Sequence, residues 1–270
     1  MTSPKHLLLA AALALSGCAS TGGDADPRDP FEPANRAIYR FNEGFDEAIA
    51  RPVATAYHDV LHEEIRNRIR NFFSNIGDLF IGVNDFLQGK FDDGVTDWAR
   101  FAFNSTFGLL GLHDVASEGG LEKHNEDFGQ TFGRWGVGGG PYLVLPILGS
   151  STLRDGVGTF FDIYTDPVGD FRPIRLRNSA VVLRGVNTRA DLLEASRLLE
   201  EAALDKYTFQ RDAYLQRRRS LIYDGHPPRE EPEGKAPPVN ASPVTGVDNV
   251  YLPRAPANYD AVMATLGNPL

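Results

Sequence analysis

The 270-residue sequence has a single cysteine, Cys18, so neither a disulfide framework nor a cysteine-based zinc site can be built. It has no basic excess: 36 acidic against 27 basic side chains leave a formal charge of −9, which argues against nucleic acid, whose phosphates need basic neutralisation. No apolar run approaches the roughly 20 residues that a bilayer-spanning helix requires. Alternation of apolar and polar residues over strand length is nearly absent, which removes most β architectures. No nucleotide loop is present either. "RWGVGGGP" (134–141) lacks the G-x-x-x-x-G-K-[ST] order, and "GSSTLRDG" (149–156) lacks the G-x-S-x-G elbow.

What is present begins at the N-terminus. Lys5 supplies a basic region, Leu7 to Leu15 an apolar one, and Ser16-Gly17 a small-residue approach to Cys18. This is the layout of a cleaved secretory signal over residues 1–17. "LSGC" (15–18) resembles the bacterial lipobox, in which the cysteine thiol is acylated and becomes the first residue. Two or more acyl chains make such an anchor stable, each buried methylene contributing about 0.8 kcal/mol. Ala19 stands where aspartate would retain a lipoprotein in the inner membrane, so the expected location is the outer membrane, periplasmic side. Residues 18–28 read as a flexible tether and 225–270 as a Pro-rich, mostly disordered tail.

Between them, residues 29–224 are helical by period. Ile65, Ile69, Phe72, Phe73, Ile76, Phe80, Val83 and Leu87 recur at steps of three and four, opposite Arg68, Asn71, Asn75 and Asp78. Phe91 to Phe103 repeats the pattern. Further helices are expected over Pro33–Ile49, Thr152–Tyr164 and, as the longest, 188–222. The expected fold class is all-α. Seventeen phenylalanines, concentrated between Phe31 and Phe171, suit either an aromatic core or helices lying flat in a lipid interface.

One segment resists the helical reading. "GGPYLVLPILG" (139–149) is apolar, uncharged from Tyr142 to Leu148 and broken by Pro146, which a helix interior does not accommodate. By itself it reads as a buried loop or a core strand.

Four stretches, "DPFEPANRAIYRFN" (29–42), "FNSTFGLLGLHDVAS" (103–117), "EDFGQTFGRWGVGGGPYLVLPILGSSTLRDGVG" (126–158) and "YTFQRDAYLQRRRSLIYDG" (207–225), closely resemble the MlaA (VacJ) family of outer-membrane lipoproteins. The resemblance implies a ring of amphipathic interfacial helices around an amphipathic channel. It implies removal of mislocalised phospholipid from the outer leaflet and transfer to a soluble periplasmic carrier of MlaC type, beside trimeric porins. Pro141, Tyr142, Leu143, Val144, Leu145, Pro146 and Ile147 would then contact lipid along the channel. Gly138, Gly139 and Gly140 would let the chain turn with positive φ, and Phe41 and Asn42 would position helices around the pore. No cofactor, no metal and no catalysis are implied. A brace for porins that moves no lipid is the alternative.

His58 and His62 would share one face of a helix, as in H-E-x-x-H zinc sites, yet Asp59 replaces the glutamate and no third ligand is evident. His113, His124 and His226 form no visible set. Thr152 or Ser151 is expected to cap a helix beginning with an Arg154–Asp155 ion pair. Arg217, Arg218 and Arg219 read as a solvated helix end, or as a site for anionic headgroups.

Overall fold

The computed structural model describes residues 26–228; Cys18, the signal and nearly all of the expected tether and tail lie outside the described residues. Helix α1 (Glu32–Phe45) passes through one wide π turn (Asp46–Ala50) into α2 (Arg51–Val60). The helix expected over 33–49 therefore continues eleven residues further, and the wide turn falls just before Pro52, whose ring removes one backbone donor.

Helices α3 (Glu63–Gln88) and α4 (Phe91–Thr106) form an antiparallel hairpin. Gly89 closes α3 in the left-handed region (φ 81°). The two helices approach most tightly through glycine: a Cβ on Gly82 would lie 3.0 Å from the Gly94 carbonyl oxygen, and one on Gly94 the same distance from that of Gly82. Then follow α5 (Val115–Glu118), α6 (Phe128–Arg134), strands β1 (Tyr142–Leu145) and β2 (Gly149–Thr152), and α7 (Leu153–Thr165). Thr152 caps α7, its hydroxyl accepting the Asp155 N–H at 3.2 Å.

The single helix expected over 188–222 is three: α8 (Ile174–Asp191), α9 (Leu193–Ala202) and α10 (Lys206–Ile222). Ala203 is extended, and the Asp205 carboxylate restarts the chain by accepting the N–H groups of Tyr207 and Thr208. A leucine stripe keeps its period across such breaks, so periodicity alone does not reveal them.

The fold is all-α apart from the short hairpin, but its burial is unusual. Among the described residues, buried polar and charged side chains outnumber buried apolar ones, while Phe91, Phe107, Leu110, Phe160 and Tyr164 are among many large apolar side chains left exposed. Two small apolar clusters remain: Tyr142, Val144, Tyr207 and Tyr214, and Phe73, Val168 and Ala180. The face of α3 opposite the apolar stripe supplies buried groups. Asn75 and Asp78 are both buried, Asp78 pairing with Lys123 and, at 3.5 Å, with the buried Arg100. Among the described residues no helix is long and apolar enough to cross a membrane.

Candidate functional site

The hairpin is antiparallel, with Tyr142 opposite Thr152 and Leu145 opposite Gly149. Its free edge is not left bare. Asn35 and Asn42 lie two turns apart on one face of α1 and bond to β1 as a neighbouring strand would. Asn35 Nδ2 donates to the Tyr142 carbonyl (3.0 Å) and its Oδ1 accepts the Val144 N–H (2.9 Å). Asn42 Nδ2 donates to the Leu145 carbonyl (2.9 Å) and its Oδ1 accepts the Ile147 N–H (2.8 Å). The second pair grips the turn, where Ile147 sits at φ 68°, a conformation that β-branched residues rarely adopt. Asn42 thus positions the hairpin. Phe41 beside it is 57% exposed and points away from this contact.

Behind the hairpin lies a buried charge cluster. Asp155 accepts from Arg154 (2.8 Å), Tyr214 (2.8 Å) and Arg218 (3.0 Å), and Arg218 reaches across to Asp127 at 2.6 Å. Asp127 in turn caps α6 through the Gln130 N–H. Burial pushes the Asp155 carboxyl up, but Arg218 and Arg154 outweigh it and hold the group at about 2. Arg218 is therefore a buried partner rather than part of a solvated helix end, which corrects the expectation for the arginine run. The expected Arg154–Asp155 pair is present.

Two clefts flank the hairpin. The first, about 220 Å³, sets Ile76, Phe80, Ile81 and Leu145 against Asp127, Asp162, Asp166, Arg184 and Arg218. The second, about 270 Å³, sets Val144, Ile147 and Leu199 against Asp46, Arg51, Arg189 and Glu200. Leu148, Ser150 and Tyr214 line both. Each cleft is lined by both apolar and charged side chains.

Of the residues implied to contact lipid, Leu145 reaches the first cleft, and Val144 and Ile147 the second. Tyr142 reaches neither. It is buried, its hydroxyl bonded to Ser150 (2.8 Å) and its ring set edge-on to Tyr207 and Tyr214, so it packs the core. Pro141, Leu143 and Pro146 also line neither cleft. Of the three glycines expected to turn the chain, Gly140 alone has positive φ (68°); Gly138 and Gly139 do not. Sequence reasoning missed Asn35, Leu148 and Tyr214, although the two-turn Asn35–Asn42 spacing was visible. His58 and His62 do not share a helix face, because α2 ends at Val60 and His62 precedes α3.

This geometry defines a helical protein with many large apolar side chains exposed, many polar ones buried, and two clefts of mixed lining beside one clamped hairpin. The family model described as MlaA lipoprotein matches residues 27–221, and the chain belongs to that family. It is similar to the intermembrane phospholipid transport system lipoprotein MlaA of Escherichia coli (strain K12), 38% identical over 228 residues, covering 82% of this chain and 90% of the relative. The Haemophilus influenzae protein of the same description is 30% identical, covering 80% and 89%. A solved structure from work on the structural basis for maintenance of bacterial outer membrane lipid asymmetry superposes with a TM-score of 0.64 at 37% identity, covering 72% of this chain and 98% of that one.

Proposed function

We propose that this protein is a non-enzymatic conduit for phospholipid. In this reading it is anchored through Cys18 on the periplasmic side of the outer membrane. It takes up phospholipid mislocalised in the outer leaflet and yields it to a soluble periplasmic carrier, beside trimeric porins. The observation that carries the reading is the pair of clefts that share Leu148, Ser150 and Tyr214 in their linings, each lined by both apolar and charged side chains. In this reading an amphiphile passes the shared residues with its acyl chains on Leu145, Leu148 and Ile147 while its headgroup stays near the arginines and carboxylates. Irregular backbone at membrane depth is tolerated where it lines such a cavity. The exposed aromatic helices supply the lipid-facing exterior. The names of the relatives, which speak of intermembrane phospholipid transport, support the same reading.

The test is surface labelling of aminophospholipids with a membrane-impermeant reagent. Cells lacking the gene should label more strongly than cells with it. Leu148→Asp and Leu145→Asp, each placing a charge at an apolar lining position, should resemble the deletion while remaining lipidated and folded. Equal labelling of the deletion and the parent would sink the conduit and leave a porin brace as the better reading.

A further inference from the structure

A second cluster lies between α3 and α4, apart from the clefts. Asp85 on α3 and Asp97 on α4 are both fully buried, and His124, in the connection between α5 and α6, closes over them. One ligand atom from each lies within 4.8 Å of the other two. Asp97 is partly satisfied: it accepts from His124 Nδ1 at 2.8 Å and from the His124 N–H at 3.4 Å. Asp85 is not. Neither of its carboxylate oxygens has a hydrogen-bond donor, although the residue is 0% exposed.

A fully buried carboxylate without a donor is costly unless something positive meets it. Lys90 does not, because its ammonium is held by Glu126 (2.8 Å) and Asp224.

We infer that Asp85, Asp97 and His124 form a binding site for one divalent cation of the zinc class. The donor set is one imidazole nitrogen and two carboxylates, which suits zinc and its transition-metal neighbours. Magnesium and calcium prefer more oxygens and retained water, which two fully buried carboxylates do not offer. His124 Nδ1 faces the site, and its Nε2 lies 3.6 Å from the partly exposed Asp93 carboxylate. The ion would pin the 119–127 connection onto the α3–α4 hairpin and so fix where Asp127 enters its contact with Arg218.

The test uses full-length, tag-free protein in detergent, stripped with chelator and titrated with zinc chloride alone, then separately with magnesium and calcium chloride. The expected result is one zinc per chain and a higher melting temperature with zinc. Binding should weaken about tenfold or more in Asp85→Asn and in His124→Gln, and be unchanged in His58→Ala. Should Asp85→Asn not fold, as judged by circular dichroism, the partly exposed His124→Gln decides the question. Three outcomes overturn the site: no zinc taken up by folded wild-type protein, equal zinc uptake by wild type and the folded variants, or uptake of magnesium or calcium in preference to zinc.

Discussion

Asn42→Ala probes the clamp on the hairpin that lies beside both clefts. The substitution removes the donor to the Leu145 carbonyl and the acceptor for the Ile147 N–H. At about 0.5–1.5 kcal/mol per bond, the loss is about 1–3 kcal/mol, toward the low end because Ile147 is exposed and water can replace one partner. A second cost is released at the same time. Ile147 is held at φ 68°, and a left-handed conformation costs a side-chain-bearing residue roughly 1–2 kcal/mol. Without Asn42 the turn should relax away from it. Glycine adopts that conformation freely and has no strain to release, so Asn42→Ala should cost about 1 kcal/mol more in an Ile147→Gly background. Thermal unfolding of the detergent-solubilised protein should show the single variant melting roughly 3–8 °C lower. Hydrogen exchange should rise at Ile147 but not at Val144, whose N–H is held by Asn35. Unchanged exchange at Ile147, or an equal cost in both backgrounds, would refute the clamp.

Three further outcomes follow from the packing. Asp162, facing the first cleft, is pushed up to about 7 by burial and then by the Asp127 charge. Its folded value exceeds the unfolded one of 3.8, so stability is intact below pH 4 and is lost as pH rises through 7. Asp162→Asn keeps the oxygen that accepts the Phe128 N–H. It should leave melting unchanged at pH 4 and stabilise by about 1–3 kcal/mol at pH 8, and no difference between the two pH values would contradict the assignment. Gly158→Ala should destabilise by more than about 2 kcal/mol, because the new Cβ would sit 2.4 Å from the Gly129 backbone nitrogen, which cannot yield as a side chain could. Gly77→Ala, with open space around it in a helix, should instead stabilise by about 0.5–1 kcal/mol, and similar melting of the two variants would disprove the close α6–α7 contact. Arg218→Met leaves the buried Asp155 and the partly buried Asp127 without their shared cation and should cost about 3 kcal/mol in denaturant titrations, a loss under about 1 kcal/mol counting against the cluster.

Much of this was legible in the sequence, and the failures share a cause. The spans of α3, α4 and α7 were readable because their apolar residues keep a period of 3.6 and their ends carry Gly89 or Thr152. Periodicity could not say which face turns inward. On α3 the polar face supplies the buried Asn75 and Asp78, while Ile65 and Leu87 of the apolar stripe are exposed. Nor could it show that Arg218 meets Asp127 and Asp155, or that His124 closes over Asp85 and Asp97. Those partners are far apart in the chain, and nothing local marks them.

The burial pattern and the proposed conduit belong to one physical argument. A fold surrounded by acyl chains gains little from hiding apolar side chains, since they are equally at ease outside. Its specificity must then come from polar contacts, each of which is expensive to leave unmade. That is the pattern here: the hairpin is positioned by two asparagines, α6 and α7 are joined through Asp127–Arg218–Asp155, and α3 and α4 meet at glycines with charged groups between them. The same rule makes a passage for headgroups inexpensive to build. Arginines and carboxylates that already pair with one another can face a cleft without leaving a charge unmatched, as Arg184–Asp166 does in the first cleft and Arg51–Glu200 in the second. Neutralising one member of such a pair, as in Glu200→Gln, should therefore disturb lipid passage more than it disturbs folding. Surface labelling and thermal melting of that variant, measured together, separate the two, and a large melting loss with normal labelling would show that the pairs serve the fold alone.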